Sequence, residues 1–526
     1  MALFDCIVVG SGPAGVFSAF QLRGRKVLML DVGLKADPAN SLPLKNLYDM
    51  RRDGDDVFEQ IIGSRFEGMH NIFNEYMSPK LKGPMLRYVT EIPPGESKVH
   101  SKTFDTYSSY AKGGLASAWG AGVFRFNDRD LRGFPISSVD LARYYDILTR
   151  HIGVCGMEDD LTPNFGPVDG LLPPLPLSPQ GSAFLSSYGR RRESLRKQGI
   201  SIGRTRPAIL SQDHNGRKAY PFVGQDFFQP NISAIYNPGY TLDEMVARDE
   251  VTYRPGRLVL SYRELPDRVQ VTTRIIETGE IEIIEGRFLM LAAGAINTAK
   301  IVLQSNSDFE ARLPVLDNAI SFTPFVRPDR IGVPSDLHAF PGGELIMVYE
   351  GELFDEPIQS SVYGLMGTLR GDLLFQMPLS FTGNLAAVKY LVPAITVLQT
   401  FYPDDPSPQN VARLRPDGAL AIDYAPKKLG VLERHLASAL WRMGYLSSTA
   451  LSQFPRAGGS IHYAGALPMV AGATKPYQTD SNCLLHATRR VFIADAATFP
   501  RLPSKNLTFT IMANAMRVAD HVKTLV

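Results

Sequence analysis

Three polar side chains near the carboxyl end have types suited to alcohol chemistry: His462 in SIHYAGALPM, Asp495 in VFIADAATFP and Asn506 in LPSKNLTFTIMANA. A neutral imidazole takes a proton from a hydroxyl, and its intrinsic pKa lies near neutrality. A carboxylate anchors by accepting hydrogen bonds, whereas an amide orients a ligand but cannot act as a base. Each also has a purely structural alternative: a histidine packed in a glycine-rich turn, an acid shaping a turn, and an asparagine capping the helix that begins near Leu507.

The elements that must position this trio begin at the other end of the chain. Phe4 to Val9 is a short apolar strand, followed by Gly10-Ser11-Gly12-Pro13-Ala14-Gly15, a helical stretch through Leu22, and a second strand from Lys26 to Leu30 that ends at Asp31. Gly10 permits the tight turn, Gly12 lets backbone approach a pyrophosphate, and Gly15 allows close helix packing. The helix start attracts phosphate, and Asp31 stands where a carboxylate accepts from ribose hydroxyls. Strand, loop, helix, strand and acid in this order predict a nucleotide site. The segment Ala111 to Phe126 then gathers Gly113, Gly114, Ser117 and Gly120 around Trp119. Such small residues suit either close approach to a flat ligand or a compact loop capped by an aromatic.

Composition bounds the rest. The chain has 526 residues, 55 Lys plus Arg against 53 Asp plus Glu, a net charge of +2 and 44% hydrophobic residues. Two lobes are expected at this length, and the charge balance gives no reason to expect nucleic acid as partner. The three cysteines, Cys6, Cys155 and Cys483, lack metal-ligand spacing and suggest neither a disulfide framework nor a metal site. A reducing, cytoplasmic compartment fits them. The first residues lack the pattern of a signal peptide. Leu385 to Pro403 is the most apolar later stretch; Lys389, Pro393 and its β-branched residues predict buried strand rather than a membrane span.

Along the middle of the chain, MRRDGDDVFEQ predicts a solvated helix and PPGES a turn. Ser137 to His151 has helical spacing in Leu141, Tyr145 and Leu148. The proline-rich run Leu161 to Pro179 predicts an ordered connection without regular helix, and the arginines from Arg190 to Arg196 a solvated helix face. Val251 to Ala293 predicts successive strands, and FLMLAAGAINTAKIVL, containing Ala293 and Gly294, a buried strand, glycine turn and helix. A helix from about Lys427 to Gly444 carries the apolar stripe Leu429, Leu432, Leu436, Leu440 and Met443. Phe222, Phe227, Phe228, Tyr236 and Tyr240 could supply sugar-stacking faces, with core packing as the alternative.

Taken together, GSGPAG at Gly10, GGLASAWGAG at Gly113, LAAGAINTAKIVL at Leu291, IHYAGALPM, FIADAATFP and SKNLTFTIMANAMRVADH resemble the glucose-methanol-choline (GMC) oxidoreductases. Within that family the pattern is most similar to pyranose oxidase and bacterial sugar and glycoside oxidases. The resemblance implies an α/β protein, α+β overall. Its Rossmann-like FAD-binding domain would comprise 1–135, 240–310 and 455–526; a substrate domain on an antiparallel or mixed sheet with helices would comprise 136–239 and 311–454.

It further implies that His462 is the base, that Asn506 orients the hydroxyl, that Asp495 binds the ribityl chain, and that Ala496 also contacts the cofactor. Leu507 and Thr508 would open a helix toward the flavin, and the backbone at Val259 would approach adenine. Ala118 stands where pyranose oxidase has the histidine that tethers its flavin, so noncovalent FAD is expected; Ala466 replaces the family's usual threonine. The implied substrate is a sugar or glycoside with a secondary hydroxyl, and the electron acceptor oxygen, a quinone or another oxidant. A non-sugar alcohol, or a redox-neutral lyase on the same scaffold, remains an alternative.

Overall fold

The computed structural model describes residues 3–37, 42–54, 57–68, 79–224, 232–334, 342–365, 374 and 377–526. Three sheets organise it. The first has the spatial order Thr252–Arg254, Val27–Leu30, Phe4–Val9, Ile281–Leu291, Val269–Ile275 and Arg257–Glu264, with Val491–Ile493 also paired to Ile281–Leu291. Ile281–Leu291 joins two kinds of pairing. Its first half is antiparallel to Val269–Ile275, and its second half runs parallel to both Phe4–Val9 and Val491–Ile493.

Period-two alternation explains why this sheet is covered on both sides. Cys6, Val8 and Met29 pack toward the helices Pro13–Gln21 and Thr508–Leu525, while Ile7, Val9, Leu28 and Leu30 pack toward the helix Ala295–Asn306.

The second sheet, Ile200–Arg204, Leu345–Tyr349, Ile358–Gly364, Ile395–Phe401 and Ile320–Val326, is antiparallel throughout. Leu345 and Met347 face a core made with Phe184 and Tyr188 of the helix Pro179–Arg196 and with Leu432, Leu436 and Leu440 of the helix Val431–Trp441. The apolar stripe predicted in that last helix is therefore a packing face. A third, small sheet pairs Leu420–Asp423, Val411–Leu414, Leu313–Asp317 and Tyr463–Gly465. The fold class agrees with the α/β, α+β reading.

Several local expectations change. Leu385–Pro403 is not one strand: Phe381–Leu391 is helix, and only Ile395–Phe401 is strand. Ser380 caps the helix through Gly383 N, the Ala386-Ala387 pair favours it, and Pro393 separates it from the β-branched run. MRRDGDDVFEQ spans two short helices, Leu47–Arg52 and Phe58–Ile62; Asp55 and Asp56 lie outside the described residues. The proline-rich connection contains a one-turn helix, Thr162–Phe165, started by Pro163, where proline needs no donor. Ser138–Ile152 forms as expected, with Ser137 and Asp140 making a capping box. The arginine cluster is exposed, and Arg192 pairs with Asp160.

Candidate active site

The first glycine loop is fixed by close backbone packing. Gly10 has φ +97°, and a Cβ at Gly15 would stand 1.9 Å from Gly10 O, so the loop and its helix meet only because both side chains are missing. No side chain caps the helix that follows Gly12, leaving its positive end to a ligand. Asp31 accepts from the Ser11 hydroxyl and from Tyr253 at 3.2 Å. Burial nonetheless raises its pKa to about 7. The Ser11 hydroxyl also accepts from Gly113 N at 3.1 Å, tying the second glycine loop to the first. In that second loop Trp119 is held by its Nε1 donating to Tyr236 O at 2.7 Å.

A cavity of about 800 Å³ runs between the first and second sheets. Gly10, Gly12, Pro13, Ala14 and Asp31 line one part of it, with Val259, Ala293 and Gly294 nearby. Gly114, Ala118, Trp119 and Gly120 line another part, as do Asp495, Ala496, Leu507 and Thr508. His462 and Asn506 face the same space. Three expected residues do not line it. Gly15 packs the helix against the loop, while Gly113 and the Ser117 hydroxyl turn toward Asn237 and Lys112 O. Tyr236, Tyr240 and Phe222 are likewise absent from the wall; Tyr236 belongs to the core, and Phe227 and Phe228 lie outside the described residues.

Asp495 is committed to its own chain. It accepts from Gly294 N at 2.9 Å, Thr298 Oγ1 at 2.5 Å and Ala497 N at 2.9 Å, so it clamps the returning strand–helix turn from the end of the neighbouring strand. Burial raises its pKa to about 6 against those three bonds.

His462 sits on a loop under local strain. Ile461, β-branched, has φ 61°, a conformation that costs about 1–3 kcal/mol and persists only where its surroundings impose it. Those surroundings are visible: buried Asp317 accepts from Gly458 N at 2.8 Å and Ser460 Oγ at 2.7 Å, and Ser460 Oγ accepts from His462 N at 3.0 Å. The ring stacks on Phe401 with centroids 5.0 Å apart. Its Nδ1 lies 3.0 Å from Asn318 Oδ1, and its Nε2 has no partner among the described residues. Burial lowers the imidazole pKa to about 4, so the ring is neutral at pH 7.

Asn506 does not cap the last helix; its amide donates to Gly122 O and accepts from Gln359 Nε2, both at 3.4 Å. The preceding residue fixes it. Lys505 is 2% exposed and donates to Asp130 and, at 2.6 Å, to Asn164 O.

Sequence reasoning missed the far wall. Phe322, Pro324 and Val326 line the cavity from one strand, and Ile395, Val397, Gln399 and Phe401 from its neighbour. Both series step by two, so one face of the second sheet covers the site. It also missed Asn318 and Gln359. Asn318 lies in the short link after the strand Leu313–Asp317 and Gln359 within the strand Ile358–Gly364, and only the meeting of distant segments brings them to His462 and Asn506.

Comparison with known proteins places the trio in a shared segment. Residues 443–515, which include His462, Asp495 and Asn506, match the family model for GMC oxidoreductase. Over 559 aligned residues the chain is 23% identical to paromamine 6'-oxidase of Streptomyces fradiae, covering 99% of this chain and 91% of that protein. The fold is similar to that of pyridoxine 4-oxidase from Mesorbium loti, with a TM-score of 0.58, 14% identity, and coverage of 98% of this chain and 99% of that one.

Proposed function

From the match of residues 443–515 to the GMC oxidoreductase model, we propose that this chain oxidises a secondary hydroxyl of a sugar or glycoside to a ketone. One observation carries the reading: His462, with an unpartnered Nε2, lines the same cavity as the amino-terminal glycine loop. The family is FAD-dependent, and the residues present fit that group. The Cβ-free turn at Gly10 and Gly15, the uncapped helix start at Gly12 and Asp31 together form a cradle for a dinucleotide. Noncovalent binding is part of the proposal, since Ala118 cannot form a covalent bond to the ring. So is the division into a FAD domain at 1–135, 240–310 and 455–526 and a substrate domain at 136–239 and 311–454, and so is a reducing, cytoplasmic location.

When bound, FAD supplies the hydride acceptor. Oxidation of CH–OH also releases a proton, and His462 Nε2 takes it as general base. Asn506 steers the hydroxyl through whichever amide hydrogen is not engaged by Gly122 O, a proximity contribution to rate. The first turn of the helix Thr508–Leu525 presents a partial positive charge to the same space. Asp495 acts by holding the turn at Gly294 in place and by bordering the cofactor.

The apolar far wall favours a second reading, in which the donor is a non-sugar alcohol with a hydrophobic body. Anaerobic mixing of the purified enzyme with sugars, glycosides and simple lipophilic alcohols decides between them. Flavin bleaching by glycosides supports the sugar reading, and bleaching by lipophilic alcohols alone overturns it. Reoxidation by oxygen against a quinone then identifies the acceptor.

A further inference from the structure

Asn318 stands outside every motif considered so far, yet it is fully buried and touches His462. The cause is strand register. Tyr463 and Asp317 end the antiparallel ladder of the third sheet, and the residues just beyond that last pair, His462 and Asn318, leave it side by side. We infer that Asn318 is a positioning residue that locks His462 in the tautomer with its proton on Nδ1, leaving the Nε2 lone pair facing the cavity.

The argument follows from what each atom can do. Asn318 Nδ2 lies 2.8 Å from Tyr402 O and 3.0 Å from Pro503 O. Both are carbonyl oxygens that only accept, so they hold the amide with its nitrogen toward them and its oxygen toward the ring. An amide oxygen also only accepts. Nδ1 must therefore donate, and in a neutral imidazole the lone pair is then on Nε2. The opposite tautomer would set two lone pairs against each other at 3.0 Å and present an N–H to the substrate hydroxyl. Stacking on Phe401 and the Asp317–Ser460 brace oppose ring rotation as an escape. The ionisable groups packed around this loop are already engaged: Asp317 by Gly458 N and Ser460, and Asp404 by Lys427 and Tyr424. An uncharged acceptor fixes the proton without raising the basicity of the ring as a carboxylate would.

This inference rests on the reading of His462 as base, but its principal readout does not. The holoenzyme labelled with 15N-histidine is followed by long-range proton–nitrogen correlation, with the His462 signals assigned by their loss in His462→Gln. A protonated, pyrrole-type Nδ1 and an unprotonated, pyridine-type Nε2 at pH 7 are expected.

Asn318→Leu should give a mixture of both tautomers and lower kcat about 10- to 100-fold with KM little changed. Asn318→Asp keeps an acceptor at Nδ1, and its second oxygen, facing the carbonyls of Tyr402 and Pro503, must carry a proton to donate as the amide does; as that neutral acid it should retain the tautomer and recover much of kcat with the acid limb of kcat/KM little moved. An unprotonated Nδ1 in the unsubstituted enzyme overturns the inference, even if Asn318→Leu does not accumulate. So does an Asn318→Leu enzyme with unchanged tautomer and pH profile. Full turnover in His462→Gln would instead remove the base assignment and leave the tautomer standing.

Discussion

At the scale of single residues, burial decides the working range of His462. Its pKa of about 4 means that it is neutral, and able to accept a proton, at every pH above that value. The His462 limb of kcat/KM should therefore lie near pH 4, well below the unperturbed value of about 6.5, whereas an inflection between pH 6 and 7 belongs to the buried carboxyls Asp31, Asp317 and Asp495, which burial raises to about 7, 7 and 6. An imidazole of His462 that titrates near neutrality, followed by NMR, would count against its buried surroundings. His462→Gln keeps a similar volume without a base and should lower kcat by about 10²- to 10⁴-fold. His462, Asp495 and Asn506 were legible in the sequence because their neighbours form recognisable strings. Their partners were not: Asn318, Gln359 and Phe401 meet them only through pairings between strands far apart in the chain.

At the scale of elements, two short segments hold the site. The first is the contact between Gly10 and Gly15, where an added methyl would meet the Gly10 carbonyl at 1.9 Å. Gly15→Ala should therefore yield a folded protein that purifies with little flavin absorbance; normal yellow colour would show that the loop has room to give. The second is the approach to the last helix, anchored by Lys505 on Asp130 and by Arg501 on Glu356. Removing one partner leaves the other charged and dry, so Lys505→Met should cost about 3–5 kcal/mol, measured by urea unfolding. Glycine, proline and helical spacing made the first loop and most long helices legible. They misled at Leu385–Leu391, where hydrophobicity suggested strand, although a cap at Ser380 and a stop at Pro393 bounded a helix. A short apolar run does not distinguish the two when its burial is unknown.

At the scale of the whole molecule, the cavity lies between the two larger sheets, so a bound cofactor bridges segments that are distant in sequence. The proposed noncovalent FAD should leave the protein on acid precipitation and appear in the supernatant; colour retained in the pellet would overturn the reading of Ala118. Rebinding should raise Tm in a concentration-dependent way, because ligand bound only to the folded state stabilises it by mass action. The wall opposite the cofactor was illegible for a related reason: its alternation is that of any half-buried strand, and only the assembled sheet shows which face meets the cavity.

That wall also bears on how the enzyme can be altered. His462 is braced from the strand Leu313–Asp317 and its neighbour Asn318, whereas Phe322, Val326 and Val397 belong to a separate sheet. Substitutions at those three positions should therefore shift the choice among alcohol donors more than the pH dependence set by His462. Phe401, on the same sheet and stacked on His462, and the adjoining Tyr402, whose carbonyl holds Asn318, are where the two properties cannot be varied independently.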